Sequence, residues 1–176
     1  MEKNKKKKGR RAYLDDFKMT LSGEYVYTGA VYLPEGDYKK VRAQILAVSA
    51  AAAALTLICG CIPAEPMLNT FYVILPFVVT LACAVRGLWA AVRLCINKLP
   101  LREYVLKQTF DVFRPCSTLM TIFSAVTALA TLIFGFIKGF SALSPWTWAF
   151  LASHLFVIFL GLFLTKITKK LTWVKQ

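Results

Sequence analysis

Four apolar runs constrain this chain more than anything else in it: Ala43 to Ile62, Met67 to Leu94, Cys116 to Ile137 and Trp146 to Thr165. Each approaches or exceeds the roughly 20 residues that cross a hydrocarbon core of about 30 Å, and none contains an acidic residue. Inside lipid no water is available to backbone N–H and C=O groups, so segments this long and apolar must be helices that satisfy their own backbone. The chain therefore reads as an all-α integral membrane protein with four transmembrane helices. Its 57% hydrophobic content over 176 residues suits that class better than a water-soluble surface. A cleaved signal peptide is not expected, because the first run follows about 40 residues of polar chain.

Charge sets the expected orientation. Of 22 Lys and Arg, only Lys138 falls on the side holding the short connections Pro63 to Pro66 and Lys138 to Pro145. The others lie in the N-terminal segment, between Arg86 and Arg114, or between Lys166 and Lys175. By the positive-inside rule both termini and the middle loop are cytoplasmic, and an even number of spans agrees. The organisation expected is a cytoplasmic basic arm with a short Tyr-rich segment (1–42), a transmembrane domain (43–165) and a basic tail (166–176). The compact loops suit a bacterial plasma membrane.

The net charge of +13 thus belongs to one face, where the available anion is the lipid headgroup. The run "KNKKKKGRR" at 3–11 is attracted to anionic lipid by about 1 kcal/mol per basic residue near the surface. Anionic headgroups are the expected partner and nucleic acid is not. Residues 1 to 12 read as disordered. Beyond them, Tyr25, Tyr27 and "AVYL" predict short extended pieces around Gly23 and Gly29, closed by Pro34 to Gly36. A lone hairpin is marginal in water and would have to lean on the membrane, the bundle or a partner.

Within the second span, Pro76 removes a donor and predicts a kink. Arg86, Arg93 and Asn97 share a helical face near the cytoplasmic edge, fit either to snorkel to headgroups or to hold a phosphate-bearing ligand. After Pro100, residues 101–114 predict a cytoplasmic amphipathic helix, with Pro115 in the first turn of the third span. Trp146 and Trp148 outside and Trp173 inside fit interfacial belts.

Small residues recur every three or four positions: Ser117, Thr121, Ser124, Ala128, Thr131 and Gly135 in the third span, Thr80, Ala84, Gly87 and Ala91 in the second. An alanine run, Ala50 to Ala54, marks the first. Small side chains let helix backbones approach and their hydroxyls can bond across helices, so these stripes are the expected packing seams. They leave a second copy or another membrane protein as possible partners.

Chemistry is sparse. The single histidine, His154, lies near the middle of the fourth span, where an ionisable group is either a proton relay or ligand contact, or a neutral imidazole bonded to a hydroxyl such as Ser124 or Thr127. One histidine excludes a multi-histidine metal site, and no phosphate-cradling glycine loop or paired intramembrane carboxylate occurs. No cofactor or metal is expected. Cys59 and Cys61 are a redox pair, a lipid-attachment site or a helix end; on a helix they subtend about 200° and point apart.

Four helices with cysteines at the outer end of the first resemble the DsbB family of quinone-linked thiol oxidases, which implies a redox pair there. That family carries Cys-x-x-Cys and a second pair in the second outer loop. This chain has Cys59-Gly60-Cys61 and no cysteine from Lys138 to Pro145. The small multidrug transporters also have four short spans, but their glutamate in the first span has no counterpart between Ala43 and Ile62. The function expected is a non-catalytic accessory or scaffold subunit. A small oligomeric transporter using His154 and Arg86 is the alternative, and a membrane thiol oxidoreductase the third reading.

Overall fold

A computed structural model describes residues 17–176, so the polybasic run at 3–11 lies outside the described residues. The fold is mostly helical. Four helices are long and apolar enough to cross a membrane: α1 (Tyr38–Cys61), α3 (Phe71–Ile96), α5 (Phe110–Lys138) and α6 (Pro145–Lys169). Two short helices, α2 (Glu65–Asn69) and α4 (Glu103–Gln108), precede α3 and α5. Each long helix packs against its neighbours in sequence, and α6 closes the ring against α1. Short connections force this antiparallel order.

Sequence chemistry sets the helix ends. Asp37 caps α1 by accepting the Lys40 N–H at 3.3 Å, satisfying one of the orphan donors of a helix start. Pro145 opens α6, where a missing N–H costs nothing. Two boundaries differ from the apolar runs. The second run is divided at Thr70, whose extended backbone separates α2 from α3 and whose hydroxyl bonds the Pro66 carbonyl. A short polar side chain that competes for a helical carbonyl in this way favours a break. The helix then runs unbroken through Pro76.

The stretch 101–114 is likewise not one amphipathic helix. Strand β4 (Leu101–Arg102) and α4 occupy its first part, and α5 begins at Phe110 after Thr109, whose hydroxyl donates to the Val105 carbonyl at 2.6 Å. Pro115 consequently sits as the sixth residue of α5, as Pro76 does in α3, rather than in its first turn.

Five short strands collect around the same end of the bundle. β1 (Phe17–Met19) and β2 (Tyr25–Tyr27) form an antiparallel hairpin. Arg102 lies over the rings of both Phe17 and Tyr27, 5.4 and 5.0 Å from their centres, and so fastens the hairpin to β4. β3 (Val31–Glu35) is the centre of a three-stranded antiparallel sheet, flanked by β4 and by β5 (Thr172–Lys175). Pro34 pairs with Trp173 on β5 at a position where β4 has already ended, so its missing N–H breaks no ladder. Gly36, with φ at +98°, then turns the chain from β3 into the Asp37 cap.

The sheet joins the N-terminal segment, the α3–α5 connection and the C-terminal tail. All three therefore lie at one end of the bundle. Beneath the sheet, Leu101, Val105, Leu106 and Phe113 pack with Ile45, Leu94 and Ile167. The middle is filled by Ala52, Ala53, Ala84, Met120, Val157 and Leu160, and the far end by Cys59, Val73, Phe77 and Phe150. Large apolar side chains such as Leu75, Trp89, Leu129 and Phe159 are exposed on the outside. An interior of small residues inside a shell of large apolar ones is the arrangement of a bundle whose solvent is lipid.

Candidate functional site

The polar interior of the bundle is concentrated where α5 meets α6. Ser117, Ser124, Ala128, Thr131 and Gly135 are buried, Thr121 is partly so, and Thr80, Ala84, Gly87 and Ala91 are buried on α3. Two stripe hydroxyls bond across to α6. The Ser117 and Thr165 hydroxyls lie 2.9 Å apart, and Ser124 donates to the His154 carbonyl at 3.0 Å. The others turn back on their own helices: Thr121 donates to Ser117 O, Thr131 to Thr127 O and Thr80 to Pro76 O. A hydroxyl bonded to the carbonyl four residues back hides its polarity from lipid.

One decisive residue of this seam lies outside the stripes expected on the second and third spans. Gly161 lies between Leu160 and Leu162 in a short pattern with Thr165 and Thr168, and a Cβ there would overlap the Thr121 hydroxyl and come within 3.3 Å of the Ser117 carbonyl oxygen. It is the residue that lets α5 and α6 touch. On the other side of Ser117, small side chains on three helices leave a void of about 10 Å³ bordered by Ser49, Cys83, Gly87 and Cys116, on the scale of a single water molecule.

His154 is fully buried on α6. Its Nδ1 lies 3.0 Å from the Phe150 carbonyl oxygen, which can only accept, so the proton belongs on Nδ1 and Nε2 carries a lone pair. Nε2 has no hydrogen-bond partner. Two aromatic rings wall the imidazole, Phe150 with its centre 4.3 Å away and Phe77 at 5.9 Å. The hydroxyls expected to receive the ring bond elsewhere: Ser124 serves the His154 backbone and Thr127 the Phe123 carbonyl. If the imidazole is a packing element, His154→Phe is expected to keep thermal stability within about 1 kcal/mol, since it removes an unpaired acceptor from an aromatic box. Asn or Gln at 154 should cost about as little. A thermal unfolding series in detergent, run beside a phenotype assay, separates this from a proton or ligand role, in which stability stays normal and function is lost.

Arg86 and His154 are not brought together. Phe77, which touches the imidazole, precedes Arg86 by nine residues, or about 14 Å of helix, and Arg86 is exposed on the outer surface of α3. Arg93, on the same face, is tied down: it donates to Gln108 Oε1 at 2.9 Å while Asn97 caps its carbonyl at 2.7 Å. The expected arginine face is thus split between an exposed guanidinium and a structural strut linking α3 to α4.

Cys59 and Cys61 lie on a helix that stays regular to Cys61, and they point apart. Cys59 is buried beside the Ser153 hydroxyl, whereas Cys61 is exposed. No three His, Cys, Asp or Glu side chains converge as metal ligands would among the described residues. Compared with protein families, curated proteins and solved structures, the chain matches none.

Proposed function

We propose that this small membrane protein is a non-catalytic accessory or scaffold subunit, with both termini and the α3–α5 connection in the cytoplasm. The observation that supports this best is the sheet β4-β3-β5. It gathers three separate polar segments into one platform at the cationic end of the bundle. The hairpin attached to that platform carries Met19, Leu21, Tyr25 and Val26 largely exposed. The opposite end has only short connections. A partner that recognises the protein outside the lipid would do so through this platform.

Two measurements test the proposal. In a chain whose native cysteines have been replaced, single cysteines at Glu65 and Ser141 should be labelled from outside only, and ones at Lys107 and Lys175 from inside only. Labelling of the Lys107 position from outside would reverse the orientation. Affinity purification in mild detergent should then recover a defined membrane partner, and recovery should fail when Arg102, which fastens the hairpin, is replaced by Ala. Recovery of the bare chain alone, with solute flux in proteoliposomes, would favour a transporter.

The transporter reading has one observation of its own, the buried and unpaired Nε2 of His154. A lone pair held in an apolar box is left to accept a hydrogen bond from a ligand donor. Arg86 has no part in such a site.

A further inference from the structure

We propose that the cleft between the first turn of α1 and the α3–β4 connection binds the headgroup of a polyanionic phospholipid, one carrying two phosphates. The cleft is a shallow, open concavity of about 600 Å³ that brings Lys39 and Arg42 from α1 together with Lys98 from beyond the end of α3. Gly36 and Asp37 produce this arrangement, because the turn at Gly36 swings the start of α1 beneath β3. The Asp37 carboxylate, the one acid on the cleft, is engaged with the Lys40 N–H. Among the described residues the only ion pair is Lys107 with Glu103, so the three cations of the cleft stand without a carboxylate at bonding distance. Three like charges in one concavity repel one another and favour an anion of more than one charge.

Tyr38 contributes a second, independent feature. It lies at the base of the cleft, is only 8% exposed, and its buried hydroxyl sits beside the Arg42 guanidinium. The Arg42 guanidinium lies over its ring, 5.6 Å from the centre, which positions the cation through the aromatic face. A phosphate oxygen is the acceptor that the guanidinium fork lacks. The amides at the start of the 24-residue α1 add their positive dipole end.

Position decides the source of the phosphate. Arg42 immediately precedes the first apolar run, and Lys98 follows the end of α3 by two residues, so the cleft opens at the level where hydrocarbon gives way to headgroups. Leu99 on its rim is 40% exposed and offers an apolar contact to a glycerol backbone or acyl chain. Basic pockets between transmembrane helices at this depth recognise lipid headgroups. The inference holds whether the protein is a scaffold or a transporter.

The experiment uses the full chain purified in detergent, with bound lipid counted by native mass spectrometry. The probes are cardiolipin with two phosphates, phosphatidylglycerol with one, zwitterionic phosphatidylcholine, and the water-soluble deacylated cardiolipin headgroup. Cardiolipin is expected to bind at least tenfold more tightly than phosphatidylglycerol, and the soluble headgroup far more weakly than either. Removing a charge should weaken binding about fivefold, so Lys39→Gln with Lys98→Gln should lose about 25-fold. Lys39→Arg with Lys98→Arg should stay within about twofold, which separates loss of charge from loss of fold. Tyr38→Phe, which keeps the ring beneath Arg42 and removes only a buried hydroxyl, should stay within about twofold. Lys166→Gln with Lys170→Gln, at the same end of the bundle, should change little. Equal loss in that control pair, unchanged binding in the Lys39 and Lys98 pair, or soluble headgroup bound as tightly as the lipid would each overturn the proposal.

Discussion

Gly161→Leu is expected to destabilise the bundle by about 3 kcal/mol or more, lowering the unfolding temperature in detergent by about 5–10 °C. The first carbon of any side chain at 161 overlaps the Thr121 hydroxyl, and the next neighbours are the Met120 side chain at 3.2 Å and the Ser117 backbone oxygen at 3.3 Å. Thr121 cannot simply rotate away without cost, because its hydroxyl is bonded to Ser117 O at 2.8 Å. Separating the helices to make room would also stretch the bonds of Ser117 to Thr165 and of Ser124 to the His154 carbonyl. Gly87→Ala is the matched control. A Cβ at 87 meets nothing within 4 Å, so that substitution should be neutral or slightly stabilising through helix propensity. Gly161→Ala should be rescued in part by Thr121→Ala, which removes the obstructing oxygen. Equal stabilities for Gly161→Leu and wild type would mean that α5 and α6 do not meet as described.

The contrast between these two glycines illustrates which parts of the molecule a single sequence reveals. Gly87 belongs to a repeating stripe and is visible from periodicity alone, yet its surroundings are open. Gly161 belongs only to a short pattern with Thr165 and Thr168 and makes the tightest approach, because the partner that crowds it lies on another helix. The four spans were legible because each is a continuous apolar run, a local property. The break at Thr70 was not, since it depends on a hydroxyl competing for one carbonyl within an apolar segment. The sheet was least legible. The pair Glu35 and Thr172, joined by a 2.9 Å hydrogen bond, lies 137 positions apart, and "TWVK" is too short to announce a strand. At the candidate site, burial of His154 followed from depth in the span. Its unpaired Nε2 did not, because nearby hydroxyls in sequence-compatible positions bond to backbone carbonyls instead. The cleft cations Lys39, Arg42 and Lys98 read as ordinary flanking charge until the turn at Gly36 brings two segments together.

Trp173→Ala is expected to cost about 2–3 kcal/mol and to loosen the C-terminal strand selectively. Read as a belt residue, Trp173 should face headgroups. The structure turns it inward, half-buried, edge-on to Tyr38 at 5.9 Å and to Phe110 at 5.3 Å, so one ring joins the tail to the starts of both α1 and α5. Truncating a fully buried aromatic costs about 3–5 kcal/mol, and partial exposure lowers that figure. The indole N–H has no partner, so no hydrogen bond is at stake, and Trp173→Phe should lose only contact area, about 1 kcal/mol. Hydrogen exchange gives the sharper reading. The amides of Thr172 and Val174, paired with Glu35 and Leu33, and that of Gln176, bonded to the Val31 carbonyl, should lose protection in Trp173→Ala, while amides in the middle of α5 and α6 keep theirs, because the seam at Gly161 does not depend on the tail. Trp173→Ala and Tyr38→Ala should combine to less than the sum of their separate costs, by about 1 kcal/mol, since each removes the same edge-to-face contact. If the sheet is the platform through which the protein meets a partner, Trp173→Ala should also abolish copurification while the four helices still insert and remain monodisperse. Undiminished recovery of the partner from a chain with an unprotected β5 would move the interface away from the sheet and onto the lipid-facing helices.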